Sequence, residues 1–274
     1  MSWSECPCTI PPRAEPIELA EFKAQAKIDT DLLADDALMK ALIPAARGVV
    51  EVRSGEGTYR QVAMVVATYT AIFWGTPAGD SAALPYVPLV SISSVTYLDT
   101  SGTSATWAST NYRADTASGR IVLQPGCYWP ATYGGPGSFT VTFVAGIACP
   151  FTASGATLTG QGRTYTNGDL VRVVNSGGVL PTLLAPLTNY YVVSVSGSAF
   201  GLSATSGGTA ITTTNAGSGT HFVVGVRLAD FEKLRQAMFL LLNHWYRNRD
   251  SVVIGTITAE VPMGVAALCS AAHA

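Results

Sequence analysis

The chain has 274 residues and a formal net charge of −2 at pH 7, and only 12% of its residues are charged. A soluble domain usually carries about 25% charged residues, and the mean hydropathy here is +0.29. This balance excludes the basic field that tight nucleic-acid binding needs, and no apolar run reaches the length of a membrane span. We interpret the missing charge as buried contact between subunits, although an uncharged β-protein rich in Gly, Ser and Thr would look similar.

The N-terminal residues 1–16 have neither a basic start nor an apolar core, so they do not resemble a signal peptide. Cys6 and Cys8 are expected on a mobile tail. With Cys127, Cys149 and Cys269, they lack the paired spacing of a zinc site, and a reducing folding environment fits them.

Two helices are predicted next. The first covers Ile17–Asp29 and opens after Pro16, and the second covers Leu32–Val52 with a cap from the aspartates before it. Pro44 lies inside the second helix and should kink it. The aspartates are explained by capping and by the helix dipole, and they lack the remaining ligands of a calcium loop. The expected buried stripe consists of Leu38, Leu42, Ala45 or Ala46, and Val49.

A β-rich region follows. Residues 59–74 favour a strand, with a helix as the alternative, and the alternation in Ser138–Ala145 predicts a half-buried strand. Further strands are predicted at Val90–Leu98, near Trp107, at Tyr112–Asp115 and at Arg120–Leu123.

Residues 150–224 contain only three charged side chains and many Gly, Ser and Asn turns, which indicates a small β-domain inserted into a loop. Its strands are predicted at Asp169–Asn175, Asn189–Ser196, Phe200–Ser203, Ala210–Thr214 and Phe222–Val224. The fold class is therefore α+β. A discontinuous core domain, residues 1–149 and 225–274, combines two N-terminal helices, a long C-terminal helix and an antiparallel β region. Residues 150–224 are an inserted all-β domain.

The long helix is predicted at Leu228–Arg249. Leu234, Met238, Leu241 and Trp245 recur at helical spacing, and residues 237–242 are apolar on every side. Such a helix must be covered by a large core or by neighbouring copies of the chain.

Sequence motifs of catalysis are absent: the chain has no GxGxxG, GxxxxGK[ST], HExxH or GxSxG. His221, His244, His273 and Cys127 have no recognisable catalytic partners in the sequence. The aromatic residues Tyr128, Trp129, Tyr133, Tyr190 and Tyr191 could stack on sugars, but core packing explains them equally. We expect no enzyme activity, cofactor or metal.

Without the insert, the order of elements is a short helix, a helix, strands, a long helix and a tail. The landmarks are Leu89–Asp99, Gly119–Leu123 with Trp129-Pro130, Val141–Gly146, His244–Arg249 and Pro262–Leu268. This order resembles the head–tail connector (adaptor) proteins of long-tailed bacteriophages and related gene-transfer particles, over residues 17–149 and 226–268. Pro44 and the insert depart from that pattern, and the insert resembles small β-modules of phage tail and fibre proteins.

The resemblance implies a homo-oligomeric ring of twelve copies in the virion neck, assembled in the host cytoplasm. The ring would bind the portal protein and a tail-side stopper or terminator protein, and DNA would pass through its lumen without sequence-specific contact. Subunit contacts are expected at Leu38, Leu42, Leu234, Met238, Leu241, Leu242 and Trp245. Portal docking is expected in the tail Ser251–Ala274, at Val261, Pro262, Val265 and Leu268.

Two alternatives remain open. One is a tail-associated protein that binds carbohydrate or a host surface through residues 150–224, and the other is a hydrolase with a scattered site.

Overall fold

The computed structural model describes residues 3–55, 60–225, 227–248 and 263–272. Contacts divide the chain into two units: residues 1–12 with 58–146, and residues 13–57 with 147–274. Helices and antiparallel strands are both abundant, so the predicted α+β class is confirmed.

The first unit consists of β-strands. They are β1 (Trp3–Glu5), β2 (Cys8–Ile10), β3 (Gln61–Val62), β4 (Ala67–Phe73), β5 (Ser81–Ala83), β6 (Tyr86–Val87), β7 (Leu89–Leu98), β8 (Ser104–Trp107), β9 (Tyr112–Asp115), β10 (Arg120–Leu123) and β11 (Phe139–Ala145). The main sheet has the order β1–β4–β11–β7–β8, and β2 also pairs with β4. A second sheet has the order β5–β10–β9, and β3 pairs with β6 in parallel.

The core of this unit lies on one face of the main sheet. β4 and β11 pair in a register that sets Phe139 opposite Phe73 and Phe143 opposite Tyr69. Along both strands buried residues alternate with partly buried ones, as a period of two requires. The half-buried strand predicted at Ser138–Ala145 is thus confirmed, and so are those at Val90–Leu98, Tyr112–Asp115 and Arg120–Leu123.

The cysteines near the N-terminus do not lie on a mobile tail, and that prediction is wrong. Cys8 begins β2, which pairs with β4, and Cys6 lies in the two-residue link between β1 and β2. Pairing with β4 supplies the backbone hydrogen bonds that a tail would lack.

The second unit contains the helices and a β-barrel. The helices are α1 (Leu19–Ala26), α2 (Asp36–Ser54), α3 (Leu228–Arg247) and α4 (Met263–Ala271). α3 packs against α1, α2 and α4, and α4 also packs against α2. Within the described ranges, none of the helices combines the length and apolar content that crossing a bilayer demands.

Helix α2 differs from its prediction in its start and in its buried face. It begins at Asp36, because residues 30–35 turn before the helix starts, and it continues through Pro44 to Ser54. The buried side chains of α2 are Met39, Ile43, Ala46, Val50, Glu51 and Ser54. The predicted stripe was therefore displaced by one residue, and Leu38 is 41% exposed. Helix α1 begins at Leu19 rather than directly after Pro16.

The barrel is closed and antiparallel. Its strands are β12 (Ala148–Ser154), β13 (Thr157–Gly160), β14 (Leu170–Ser176), β15 (Tyr190–Ser196), β16 (Ala199–Ser203) and β17 (Thr220–Val224). The order is β12–β13–β16–β15–β14–β17, and β17 pairs again with β12. Closure gives every strand two neighbours, which protects its edges.

Residues 210–214 do not form a strand, contrary to prediction. Ile211 and Thr213 instead donate single backbone hydrogen bonds, to Leu202 at 2.7 Å and to Gly155 at 2.9 Å. The barrel begins at Ala148, two residues before the predicted insert. The division into a core and an inserted domain stays a prediction.

Candidate interaction site

Helix α3 is covered by its own chain. Leu234, Met238, Leu241 and Leu242 have no exposed surface, and they lie on a helix that packs against α1, α2 and α4. On the barrel side, the ring of Phe231 lies 5.9 Å from that of Phe222 in β17. Of the two covers that the sequence left open, a large core or neighbouring copies, the chain itself supplies the core for these four residues.

One narrow face of α3 remains open to solvent. Gln236, Leu240 and Arg247 lie on it at helical spacing, and Leu240 is 43% exposed. Trp245, one of the predicted contact residues, is partly exposed. A neighbouring subunit could reach α3 along this face and at partly exposed positions such as Trp245, but not at its four fully buried residues.

More apolar surface is exposed just before and at the start of α2 than on α3. Leu33 is 69% exposed, Leu32 and Leu38 are also exposed, and Leu42 is partly exposed. We call Leu32, Leu33, Leu38 and Leu240 the exposed leucines; Leu170, Leu183 and Leu187 of the barrel are also exposed but are not included in this name. Burying an exposed leucine against a partner stabilises the contact by roughly 25 cal/mol per Å² of apolar surface. These positions are accessible to a neighbouring subunit, whereas the buried residues of α3 are not.

The turn that carries Leu32 and Leu33 is held in place by Lys23. Its ammonium forms an ion pair with Asp36 at 2.6 Å and donates to the carbonyls of Thr30 and Leu32 at 3.3 and 2.7 Å. Asp35 accepts a hydrogen bond from Tyr246 Oη on α3 at 2.8 Å. Asp35 and Asp36 are thus used in local contacts, and Asp35, at the N-cap position, makes no side-chain cap hydrogen bond, contrary to prediction. No metal-binding group of three side chains occurs among the described residues.

A polar network joins the barrel to helix α1. Ser176 at the end of β14 accepts from the backbone N–H of Glu18 at 2.8 Å and donates to Glu21. Thr220 at the start of β17 donates to the carboxylate of Glu18. Arg235 on α3, only 6% exposed, forms an ion pair with Glu21. Hydrogen bonds to a charged group are stronger than those between neutral groups.

Arg235 makes further contacts that fix its position. It donates to the carbonyl of Pro16 at 3.1 Å and to both carboxylate oxygens of Glu232 at 3.2 Å. The sequence analysis missed this network, because its members are far apart in sequence. Arg235 stands close to Asp230, Glu232 and Lys233 in the sequence, so its charge gave no sign of its burial.

The predicted portal-docking residues have different environments. Val265 on α4 is fully buried and Leu268 is partly exposed. Val261 and Pro262 lie outside the described residues. The assignment of this tail to the portal stays a prediction, and Val265 is already packed within its own chain.

The residues considered for chemistry are not arranged as a catalytic site. His221 contacts Asn175 and the carbonyl of Ala216, whereas His244 contacts Asn248 on the same helix. The Cys127 thiol has Asn111 as its hydrogen-bond partner, at 3.8 Å. His273 lies outside the described residues.

The aromatic residues that were weighed for sugar stacking fall into two groups. Tyr190 is buried in the barrel, and Trp129 packs beside Trp107 with ring centroids 5.2 Å apart. Tyr128 and Tyr133 are exposed in the loop before β11. Tyr190 therefore cannot offer its face to a sugar.

No protein-family model and no curated protein matches this sequence. Among solved structures, it is similar to a chain in the neck of an empty gene transfer agent (GTA) particle computed with C6 symmetry. The TM-score is 0.53 at 17% identity, over 98% of this chain and 94% of that one. The chain has the fold of that neck component.

Two further structures match over 96% of this chain and 94% of theirs, each at 17% identity. One is the virion of a native GTA particle, with a TM-score of 0.49. The other is the neck of a native GTA particle computed with C12 symmetry, with a TM-score of 0.46. The fold assignment rests on the first of the three structures, and that fold agrees with the resemblance inferred from the order of elements.

Proposed function

We propose that this chain is a structural subunit of the neck of a phage-like particle. Copies of it form a ring around the DNA channel and join the portal to the tail-side proteins. The observation that carries the proposal is the fold shared with a GTA neck chain over nearly the full length of both chains. A shared fold does not by itself transfer function, so the proposal also needs support from the surface of this chain.

The surface supports a ring. A sixfold axis, as in the GTA neck, places identical copies around a channel, and each copy meets its neighbour through two different patches. The exposed leucines provide apolar surface for such contacts. Twelve copies, the number that the resemblance implies, is a multiple of six.

The subunit contacts are proposed at the accessible members of the predicted set, Leu38, Leu42 and Trp245, with the other exposed leucines. The four buried members, Leu234, Met238, Leu241 and Leu242, contribute indirectly, because they hold α3 in position within its own subunit. The C-terminal tail is proposed as the segment that binds the portal.

The overall charge supports a channel rather than a nucleic-acid binding site. A net charge of −2 provides no strong attraction for phosphate groups. DNA would pass such a ring without being held. The proposed role is structural, and it requires no catalytic residue.

The proposal is tested by removing the chain from the particle-producing strain. We expect heads that lack tails, with tailed particles restored by expression of the wild-type chain in trans. Normal yields of tailed, infectious or transducing particles in its absence would contradict a connecting role.

A further inference from the structure

The ends of strands β14 and β17 fix the barrel to helix α1. The two strands pair with Asn175 opposite His221 and Ser176 opposite Thr220. Successive side chains of a strand point to opposite faces. One pair, Ser176 and Thr220, therefore reaches the carboxylates of α1, and the other pair lies on the opposite face of the same two strand ends.

The approach between barrel and helix is close. Gly177 follows Ser176 with a φ of +74°, and a Cβ atom at this position would lie 2.6 Å from Glu18 Oε2. Only glycine combines this backbone conformation with so little space. Any side chain at this position would have to displace the side chain of Glu18.

On the opposite face, His221 and Asn175 form a hydrogen-bonded pair. His221 Nε2 lies 2.9 Å from the carbonyl of Ala216, which can only accept, so Nε2 carries the proton. His221 Nδ1 is then the acceptor for Asn175 Nδ2, at 2.8 Å. The imidazole is neutral in this arrangement.

The amide of Asn175 cannot reverse to suit a charged imidazole. Its Nδ2 also donates to the carbonyl of Ser218 at 2.8 Å, and its Oδ1 accepts from the N–H of Gly178 at 2.9 Å. If the amide were flipped, its NH₂ group would face the N–H of Gly178, and its oxygen would face the carbonyl of Ser218. Protonation of His221 at Nδ1 therefore sets two donors against each other, 2.8 Å apart.

We propose that the His221–Asn175 pair is an acid-sensitive latch that holds the β14 and β17 strand ends, and with them the barrel, on helix α1. Protonation of His221 breaks the pair and loosens residues 216–221. Because Ser176 and Thr220 are the next residues along each strand, their hydrogen bonds to Glu21 and Glu18 are lost together with it. The latch is closed at neutral pH and opens on acidification.

The surroundings of His221 favour its neutral form at neutral pH. Burial lowers the pKa of His221 below its ordinary value of 6.5, and the Ala216 carbonyl and the charge of Glu18 oppose this only in part. The neighbours from β12 and β14, Phe151 and Asn175, are uncharged. His221 lines a groove of about 350 Å³, and Arg13, from the segment before α1, is a charged residue that lines it too.

The sign of the pH dependence follows from this direction. A lowered pKa in the closed state means that the opened state binds the proton more readily. The contribution to stability is complete above pH 6.5 and is lost as the pH falls through the pKa of the closed state. Over that interval the opening equilibrium rises by up to about tenfold for each pH unit.

The latch can be tested on the full chain by amide hydrogen exchange, corrected for the intrinsic pH dependence of exchange, between pH 7.5 and 5. We expect protection of residues 170–178 and 216–224 to fall on acidification, whereas protection of residues 190–203 in the same barrel stays constant. The NMR titration of the His221 ring should have the same midpoint as the loss of protection.

Two variants make the test specific. His221→Gln removes the titrating group, so the local pH step should disappear. Asn175→Asp places a carboxylate opposite Nδ1, so the pKa of His221 should rise and acidification should no longer open the strand ends. The variant also loses the donor to the Ser218 carbonyl, so its protection should be lower than wild type at pH 7.5 but should not fall further on acidification. An unchanged wild-type pattern between pH 7.5 and 5, or an equal pH step in His221→Gln, would overturn the latch.

Discussion

Arg235 on helix α3 forms an ion pair with Glu21 on helix α1, and the same carboxylate accepts a hydrogen bond from Ser176 of the barrel. One buried arginine thus holds a carboxylate that connects two helices and a β-strand. The second unit contains further ion pairs, among them Lys23–Asp36 and Arg47–Glu51, whereas this network joins the helices to the barrel.

Replacing Arg235 with Met should destabilise the fold. The substitution leaves Glu21 without its cation and the carbonyl of Pro16 without its donor, and breaking a buried pair costs several kcal/mol. Because the Glu21 side chain is 27% exposed, we expect the free energy of unfolding to fall by about 2–3 kcal/mol, less than for a fully buried pair. Urea unfolding at pH 7 measures it. Lys233→Met is the control, since that side chain is 39% exposed, and equal losses for the two variants would contradict the network.

Two adjacent leucines on α3 should respond very differently to truncation. Leu241 has no exposed surface and Leu240 is 43% exposed. Leu241→Ala should cost about 2–5 kcal/mol, and Leu240→Ala less than about 1 kcal/mol. Chemical denaturation of the isolated chain tests this pair. A loss of less than about 1 kcal/mol for Leu241→Ala would mean that the single chain does not cover this side chain.

Leu38→Asp should leave the isolated chain folded but prevent its incorporation into particles. The carboxylate is hydrated on the single chain and would be buried without a partner in a subunit contact. Leu187→Asp is the matched control, because this exposed leucine lies on a barrel loop. Particle yield and unfolding midpoint together decide the outcome, and normal incorporation of Leu38→Asp would remove α2 from the proposed contact.

Cys6 and Cys8 should differ in reactivity. Burial, with the neighbouring Cys8 as the second cause, raises the pKa of Cys6 to about 12. At pH 8 only roughly one Cys6 in ten thousand is then a thiolate, the form that reacts. Iodoacetamide labelling followed by mass spectrometry should modify Cys8 well before Cys6. Equal labelling rates would mean that the first residues are not held against β4.

The sequence predicted those elements whose periodicity is strong and local. β7 and β11 alternate apolar with polar residues, and α3 repeats apolar residues at three- and four-residue spacing, so the type and nearly all the bounds of these elements were recognisable. β1 and β2 were missed, because strands of three residues carry no period and are fixed by pairing with β4.

The burial of α3 was predicted, but its cover was not, because periodicity shows which side chains are apolar and not which elements pack on them. α4 covers α3, and its residues were assigned to a docking tail. The displaced stripe on α2 has a similar cause, because α3 and α4 pack on α2 and the spacing of apolar residues does not show which face they meet. Tertiary partners decided each case.

Cryo-electron microscopy of purified particles, with an affinity tag or gold label on this chain, tests the central proposal most directly. The account predicts a closed ring of this chain at the neck, between portal and tail, with the exposed leucines at the contacts between copies. Label found on the capsid shell or on the tail fibres, with none at the neck, would contradict it.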